Sequence, residues 1–381
     1  MNNCIPIESN APSYVCIVIL TLVSLCLSAQ AGVKSEQWGK TPEGVAVRLF
    51  TLSSGTLRVR LTKYGARIVS LEAPDKYGHR ADIVLGYNNL DQYLNDPKDF
   101  FGAIVGRFGN RIAKGAFVLD GETYHVPMNN NGNALHGGTH GFSSKVWQGR
   151  AMDHNAVEFT LVSPDGDMGF PGTLTVHVRY TLLENNLRID YSSETDKTTI
   201  INLTNHTYFN LAGESSGDIL QQELQIKADR FTPVDSTLIP TGSVAPVEGT
   251  PLDFHHLTAI GLRIGAHDEQ LRVAGGYDHN FVLNGATGTL REAAFAVDPA
   301  SGRTLTVLTT EPGVQFYSGN FLTGTMKGYS GKFYKKHAGF CLETQHFPDS
   351  PNRPEFPSTV LHPGKHKSSL TIFILGAEKT N

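Results

Sequence analysis

Apolar and polar residues alternate with a period of two in several short runs of this chain. Residues 57–62 read LRVRLT and residues 174–181 read LTVHVRYT, so every second side chain is apolar. After a polar turn at 184–186, the alternation resumes over 187–191. A period of two on both sides of a short polar turn is typical of a β-hairpin with one buried face. We therefore predict antiparallel strands at these positions.

A second hairpin is predicted around Asp120-Gly121, which separates the strand-like runs 117–119 and 123–126. After residue 31, no stretch keeps a helical i, i+3, i+4, i+7 apolar stripe over three turns. The 39 glycines and 19 prolines punctuate short segments, as an antiparallel architecture requires. No linker, composition shift or fixed-period repeat divides the chain. We expect an all-β protein with one large antiparallel sandwich-type domain over residues 32–381.

Residues 1–31 are predicted to be a signal peptide rather than part of the fold. An apolar run at 14–27 precedes Ala29-x-Ala31, whose small side chains suit cleavage after Ala31. The run is shorter than the roughly 20 apolar residues that a transmembrane helix needs. The segment before it carries Glu8 and no Lys or Arg, so an uncleaved signal anchor is an alternative. Cleavage implies a protein that is secreted or held in the lumen of the secretory pathway, with no stable membrane span.

Cysteine content and net charge limit which disulfides the mature chain can form and which partners it is expected to bind. Of the four cysteines, Cys341 is the one outside the predicted leader, so no internal disulfide can form. The formal net charge of −4 becomes −3 when Glu8 is removed with the leader. Such a mild charge gives no electrostatic reason to bind nucleic acid or anionic lipid. The expected partner is a small neutral molecule, and the sequence leaves open whether the protein is a monomer or a weak dimer.

Six polar segments interrupt the strand pattern, and each embeds titratable or amide side chains among aromatic residues and glycines. Sugar-binding sites use this mixture, because fixed polar groups bind hydroxyls while apolar faces pack on the ring. The segments are residues 106–112, 133–138, 202–210, 276–281, 312–317 and 340–345.

Glu343 and His206 are the residues of these segments that are best suited to acid/base catalysis. Glu343 follows an apolar, strand-like run, where burial would raise the pKa of its carboxyl towards that of a useful base. Alternation along the same run could instead turn Glu343 to solvent. For His206, which lies among apolar and aromatic residues, a histidine that only fills the core is the simpler interpretation. Three further residues also have a purely structural interpretation: Arg111 could form an ion pair, Asp278 could cap a turn, and Gln315 could lie on a solvated strand face.

Three other patterns carry less weight. The G-x-S-x-G match at 213–217 lies in a polar loop between strand-like runs, whereas a nucleophile elbow needs a helix after it. His136 and His140 have the i, i+4 spacing of some zinc ligands, but they flank glycines and share no helical face. The sequons that begin at Asn202 and Asn205 overlap an apolar segment, so we expect both to be buried and unmodified.

Taken together and in this order, the motifs resemble the aldose 1-epimerase (galactose mutarotase) family. The resemblance extends from about Gly39 to the C-terminus and rests on GRFGNRI, ALHGG, NLTNHTYFNL, TPVDSTLIPTG, GYDHNF, EPGVQFYSGNF and GFCLETQHFPDSPN. It implies a β-supersandwich fold, in agreement with the periodicity. It also implies an enzyme that interconverts sugar anomers with no metal and no cofactor.

The resemblance further implies roles for individual residues. The histidine of NLTNHTYFNL, His206, corresponds to the general acid, and the glutamate of FCLETQ, Glu343, to the general base. The positions implied to contact the sugar are Asn110, Arg111, His136, Tyr208, Asp278 and Gln315. Two residues beside the site depart from the family pattern: Gly109 stands where alanine is more usual, and His346 where asparagine is frequent. We expect these departures to bear on substrate preference.

Anomer exchange needs one acid and one base on the two sides of the C1–O5 unit of the sugar. Glu343 as carboxylate would take the C1 hydroxyl proton while His206 as imidazolium protonates the ring oxygen. The opened aldehyde then rotates and the steps reverse, with free aldohexoses such as galactose and glucose as expected substrates. Two alternatives are a hexose 6-phosphate mutarotase, which would need a basic phosphate pocket, and a sugar-binding or signalling protein without turnover.

Overall fold

The structure is a computed structural model that describes residues 32–96 and 100–378. The predicted signal peptide, residues 1–31, lies outside the described residues. Two α-helices of six residues each are present in the described chain, α1 (Leu90–Asn95) and α2 (Glu269–Ala274). No helix in this part of the chain has the length and apolar character that a bilayer crossing requires.

Short strands separated by turns make up most of the described chain. In chain order they are β1 (Gly32–Lys40), β2 (Ala46–Ser54), β3 (Leu57–Thr62), β4 (Arg67–Pro74), β5 (Arg80–Asp82), β6 (Ala103–Val105), β7 (Arg111–Ile112), β8 (Ala116–Leu119), β9 (Glu122–His125), β10 (Ala134–Leu135), β11 (Gln148–Met152), β12 (Ala156–Ser163), β13 (Leu174–Leu183), β14 (Asn186–Thr195), β15 (Thr199–Ile200), β16 (Thr204–His206), β17 (Tyr208–Phe209), β18 (Glu223–Ile226), β19 (Arg230–Phe231), β20 (Ala245–Pro246), β21 (Thr258–Ala259), β22 (Asp278–Val282), β23 (Arg291–Val297), β24 (Arg303–Thr309), β25 (Gly313–Tyr317), β26 (Phe340–Gln345), β27 (Val360–Leu361) and β28 (Lys367–Ala377). Single 3₁₀ turns occur at Ala113–Gly115, Phe142–Ser144, Asp167–Gly169, Ile260–Leu262 and Ser350–Asn352.

Three large antiparallel sheets organise these strands. Their orders are β1-β2-β3-β4-β5, then β11-β12-β13-β14-β28-β24-β23-β18-β21, and finally β17-β26-β25-β22-β19-β20. The predicted strand at 57–62 is β3, and the predicted hairpin after residue 174 is β13 paired with β14. The hairpin predicted around Asp120-Gly121 is β8 paired with β9. The all-β sandwich architecture predicted from the sequence is confirmed.

One large cluster of buried apolar side chains joins the three sheets. It includes Leu52 of β2, Val178 of β13 and Phe316 of β25. The rings of Phe209 in β17 and Phe373 in β28 lie 5.2 Å apart in an edge-to-face arrangement. The six-stranded sheet therefore packs against the nine-stranded sheet, where each fully buried apolar side chain contributes roughly 1.5–3 kcal/mol of transfer free energy.

Strand β26 is buried on both of its faces. Phe340 and Leu342 belong to the apolar cluster, at 0% and 2% exposure. Glu343 points to the opposite face, as the period of two requires, and is 2% exposed. The alternative in which alternation turned Glu343 to solvent is therefore wrong, because this face of the sheet meets a cavity.

Candidate active site

A cavity of about 360 Å³ opens on this face of the six-stranded sheet, within the size range of small-molecule sites. Gln315 lies beside the cavity wall, where its amide Nε2 donates to Oδ1 of Asp278 over 2.7 Å. The structure therefore brings all eight residues singled out by the sequence into one place. Those that line the cavity directly are Asn110, Arg111, His136, His206, Tyr208, Asp278 and Glu343.

The register of strands β22, β25 and β26 places the side chains of Asp278, Gln315 and Glu343 on one face of the sheet. Asn280 of β22 pairs with Gln315 of β25, which in turn pairs with Glu343 of β26. Directly paired residues in an antiparallel sheet point to the same face. Asp278 lies two residues before Asn280 and therefore shares this face.

His206 reaches the cavity from two very short strands that run beside β26. It pairs with Ala103 of β6, and Tyr208 then pairs with Cys341 of β26. This path places Nε2 of His206 3.7 Å from Oε1 of Glu343. The separation exceeds a hydrogen bond, yet the two groups are close enough for strong electrostatic coupling at a buried site.

The two loops that carry Asn110 and His136 are held together by reciprocal hydrogen bonds. The backbone N–H of His136 donates to the carbonyl of Asn110 over 3.0 Å, and the N–H of Asn110 donates to Nδ1 of His136 over 3.1 Å. Both residues have positive φ angles, +51° and +63°, a region that asparagine and histidine enter more readily than most residues. The neighbouring Arg111 guanidinium lies 3.7 Å from the Asp278 carboxylate.

His136, His206 and Glu343 also form a group whose ligand atoms lie within 4.8 Å of one another, as a metal site would need. The hydrogen bonds favour a different use of His136. Since the N–H of Asn110 donates to Nδ1, a neutral His136 ring carries its proton on Nε2. A protonated nitrogen cannot ligate a metal but can donate to a sugar hydroxyl. The zinc pairing of His136 with His140 is excluded, because His140 is exposed and His136 is buried.

The Cys341 thiol orients the His206 ring. Its Sγ lies 3.5 Å from Nδ1 of His206. Burial raises the pKa of the thiol well above its ordinary value, so it stays protonated, and its neutral sulfur is a weak acceptor as well as a weak donor beside Nδ1. A neutral His206 with its proton on Nδ1 presents the lone pair of Nε2 to Glu343.

Burial also governs the charge of the acid/base pair. It lowers the pKa of His206 to about 3. It raises the pKa of Glu343 well above its ordinary value, and the Asp278 carboxylate adds to this rise while Arg111 opposes it. The free site therefore favours a neutral imidazole and a neutral carboxyl.

Several residues that line the cavity were missed by the sequence analysis. Phe100 packs against both histidines, with ring centroids 4.6 Å from His136 and 5.6 Å from His206. Phe321 is 56% exposed at the cavity and stacks on Tyr317 at 5.9 Å. Tyr317 and Phe321 stand in the EPGVQFYSGNF motif and could have been found there, whereas Phe100 lies outside every motif. The other lining residues are Asp96, Asn130, Leu135, Leu322, Thr323, Thr325 and Met326.

The two departures from the family pattern, Gly109 and His346, do not line the cavity. A Cβ atom on Gly109 would lie 3.2 Å from the carbonyl of Asn202. The His346 ring is turned away from the cavity, with Nδ1 2.6 Å from the Glu311 carboxylate. The expectation that these residues bear on substrate preference therefore finds no support in direct contacts.

Two weaker sequence patterns can also be placed. Residues 213–217 form a loop that leads to strand β18 and not to a helix, so they are not a nucleophile elbow. Asn202 and Asn205 are 1% and 4% exposed, as expected for the two sequons, and their lack of glycosylation stays a prediction.

The fold and the cavity define a β-sandwich protein in which a buried His206–Glu343 pair lies beside a buried Arg111–Asp278 pair. Consistent with this, a family model described as aldose 1-epimerase matches residues 48–373. The chain is 46% identical over 347 residues to galactose mutarotase from Homo sapiens, which covers 90% of this chain and 98% of that protein. It is 40% identical over 341 residues to aldose 1-epimerase from Escherichia coli (strain K12), an alignment that covers 88% of this chain and 97% of that protein. The crystal structure of galactose 1-epimerase from Lactobacillus acidophilus NCFM matches with a TM-score of 0.80 at 28% identity, covering 91% of this chain and 99% of that one. This chain belongs to the aldose 1-epimerase family.

Proposed function

We propose that this protein is an aldose 1-epimerase (mutarotase) that interconverts the α and β anomers of free aldohexoses such as galactose and glucose. The observation that carries the proposal is the pairing of His206 with Glu343 at 3.7 Å in the wall of a buried cavity. Family membership supports the same reaction. The Arg111–Asp278 pair beside the two residues supplies donors and acceptors for ring hydroxyls.

In the proposed mechanism, Glu343 removes the proton of the C1 hydroxyl while His206 protonates the ring oxygen. The C1–O5 bond breaks and the aldehyde forms. Rotation about C1–C2 then exposes the other carbonyl face, and the two proton transfers run in reverse. Each positioned acid or base is typically worth about 10²–10⁴ in rate. No net proton is gained or lost over the cycle.

The resting protonation of the pair suits this cycle. Burial keeps one proton on Glu343 and leaves His206 neutral, so the two residues together hold the single transferable proton that the reaction needs. Transfer of that proton from Glu343 to the lone pair of Nε2 of His206 forms the carboxylate and the imidazolium together. Because they lie 3.7 Å apart, the attraction between the two charges offsets part of the free energy lost by charging buried groups.

Replacement of each residue by an uncharged analogue tests the proposal. We expect His206→Asn and Glu343→Gln each to slow the mutarotation of freshly dissolved α-galactose or α-glucose by about 10²–10⁴-fold in polarimetry. The exposed His140→Asn variant is the matched control and should retain wild-type rates. Near-normal rates in either site variant would refute the assigned roles. Sugar binding by a wild-type protein that does not accelerate mutarotation would favour the sugar-binding or signalling alternative.

The lining of the cavity disfavours a sugar phosphate as substrate. Among its described lining residues, Arg111 is the one Lys or Arg, and its guanidinium already faces Asp278. A dianionic phosphate would need further cationic donors. Polarimetry with glucose 6-phosphate should therefore show a kcat/KM well below that for glucose.

A metal-free reaction is a further expectation of the proposal. The His136 tautomer set by the Asn110 N–H offers a donor to the substrate instead of a lone pair to a cation. We expect prolonged treatment with EDTA, followed by desalting, to leave the mutarotation rate unchanged. A loss of rate that Zn²⁺ restores would contradict this expectation.

We also propose that residues 1–31 are a cleaved signal peptide and that the enzyme acts outside the cell or in the secretory lumen. The apolar run at 14–27 and Ala29-x-Ala31 support this proposal. Sequencing the N-terminus of protein made by a secreting eukaryotic host should give Gly32 as the first residue. Retention of the leader on a membrane-bound product would support the signal-anchor alternative.

A further inference from the structure

Asn202 is a buried polar residue that stands four positions before His206 and does not line the cavity. Its backbone joins the loop that carries the sugar-facing residues Asn110 and Arg111. The N–H of Asn202 donates to the carbonyl of Arg107 over 3.0 Å, and the N–H of Gly109 donates to the carbonyl of Asn202 over 2.6 Å. The next two residues of that loop are Asn110 and Arg111.

The Asn202 side chain joins a second segment, the one that carries Glu343. Its Oδ1 accepts from the backbone N–H of His346 over 2.9 Å, and its Nδ2 donates to the carbonyl of the same residue over 3.1 Å. Nδ2 also donates to the carbonyl of Gly109 over 3.1 Å. Both amide hydrogens and the amide oxygen are thus used, on a side chain that is 1% exposed. His346 follows Glu343 by three residues.

These bonds supply a connection that the strand ladders do not. The strand of His206, β16, pairs with β6, whereas the strand of Glu343, β26, belongs to the six-stranded sheet. Beyond His206, Tyr208 pairs with Cys341 and ties the chain to β26. Before His206, the side chain of Asn202 makes the corresponding tie. The chain on either side of His206 is therefore tied to β26 through Tyr208 and to His346, the residue directly after β26, through Asn202.

We infer that Asn202 is a positioning residue that sets the placement of His206 relative to Glu343 and to the Asn110–Arg111 loop. The inference rests on the proposed epimerase function. A displacement of about 1 Å between reacting groups can reduce a rate about 10²-fold, so loss of one buried brace is expected to act on turnover. The residues proposed to bind the sugar hydroxyls keep their own contacts, including the Arg111–Asp278 pair. We therefore expect the affinity for the sugar to change less than the turnover.

Asn202→Asp and Asn202→Ala separate placement from folding. The carboxylate has the shape of the amide but presents oxygen to two carbonyl groups, whereas alanine removes the side-chain bonds without adding a charge. We expect kcat of folded protein to fall about 10–100-fold in both variants, with a smaller change in KM. The Asp variant should recover part of its rate relative to wild type as the pH falls, because a protonated carboxyl can again donate.

His346→Asn is the matched control. Its backbone groups still meet Asn202, but the change removes the imidazole that pairs with the buried Glu311 carboxylate at 2.6 Å. It should therefore lower the unfolding temperature while leaving kcat near the wild-type value. In a Glu343→Gln background, Asn202→Ala should cause little additional loss, because there is no base left to align.

The rates are measured by polarimetry on folded protein, well below each unfolding temperature. An unchanged kcat in folded Asn202→Ala protein would overturn the inference, as would an equal loss of kcat in His346→Asn. A wild-type protein without mutarotase activity would instead refute the proposed function. The two failures are therefore distinguishable.

Discussion

One oxygen of Glu343 lies 3.7 Å from the His206 ring, and the other, Oε2, is buried without a hydrogen-bond partner among the described residues. An ionised carboxylate in this position loses its hydration and receives few hydrogen bonds in return. The nearby Asp278 carboxylate adds repulsion, which the Arg111 guanidinium offsets only in part. The group that the proposed reaction requires is therefore one that destabilises the fold, a conflict common at active sites.

Glu343→Gln should consequently stabilise the protein, and more so at higher pH. The pKa of this carboxyl is raised from its ordinary value of 4.5 by burial. As the pH rises from about 4.5 towards the raised pKa, the unfolded chain releases the proton while the folded chain keeps it. Wild-type stability then falls with pH by up to about 1.4 kcal/mol per unit from this group, and glutamine has no such proton to lose.

Thermal unfolding at pH 5, 6, 7 and 8 measures this difference. The gap between the unfolding temperatures of Glu343→Gln and wild type should widen as the pH rises. The exposed Glu184→Gln variant should show no widening. A gap that stays constant over this range would mean that the folded pKa of Glu343 is close to its ordinary value.

At the scale of elements, the sequence predicted long strands well and short strands poorly. The alternation over 57–62 corresponds to β3, and that over 174–181 lies within β13. Strands β16 and β17 have three and two residues, too few to show a period. Their register is set by contacts with β6 and β26, which lie far away in sequence. Periodicity could therefore not bring His206 next to Glu343, and the family resemblance supplied that expectation.

Burial of β26 on both faces shows a second limit. Its sequence, FCLETQ, predicted a strand, but a carboxylate in an alternating run reads equally as solvent-facing or cavity-facing. The choice depends on what covers the sheet, which a local pattern does not encode. Phe100 was missed for the same reason, because it reaches both histidines from outside the motifs.

The loop that carries His136 provides a prediction at this scale. Gly137 has a φ of +87°, and a Cβ atom there would lie 2.0 Å from the backbone carbonyl oxygen of Gly106. Gly137→Ala must therefore shift the loop, and we expect at least a tenfold lower kcat/KM. Gly132→Ala is the control, because Gly132 has a similar φ of +77° but open space around it. It should carry the backbone strain of about 1–2 kcal/mol alone and keep its activity. Equal losses of activity in both variants would show that the clash at Gly137 is unimportant.

At the scale of the whole molecule, the proposed site depends on segments from most of the chain. Asn110, His206 and Glu343 are spread over more than two hundred residues. They meet only when β16, β26 and the residue directly before β7 have reached their final positions. Activity should therefore report on global folding, and the buried ionisable groups of the site should couple that folding to pH.

Buried histidines contribute to this coupling with a sign opposite to that of Glu343. His136, His206 and His279 are at most 5% exposed. Burial lowers the pKa of His206 and of His279 to about 3, and it lowers that of His136 well below the ordinary 6.5. As the pH falls below about 6.5, the unfolded chain takes up protons on these rings while the folded chain does not. The stability that these three neutral rings contribute is thus lost as the pH falls below about 6.5.

As the pH drops from 6.5 towards 4.5, we expect each of these rings to lower the free energy of unfolding by up to about 1.4 kcal/mol per pH unit, while Glu343 contributes with the opposite sign. Urea unfolding at several pH values measures the slope. His279 allows a test that leaves His206 and Glu343 intact. Among the described residues, its Nδ1 accepts a hydrogen bond only from the backbone N–H of Asp278. Glutamine can accept the same bond without taking up a proton. His279→Gln should subtract up to about 1.4 kcal/mol per pH unit from the slope of the unfolding free energy against pH, whereas the exposed His140→Asn variant should leave that slope unchanged. An unchanged slope in His279→Gln would mean that His279 is protonated as readily in the folded protein as in the unfolded chain. That result would contradict the lowered pKa that burial gives this ring.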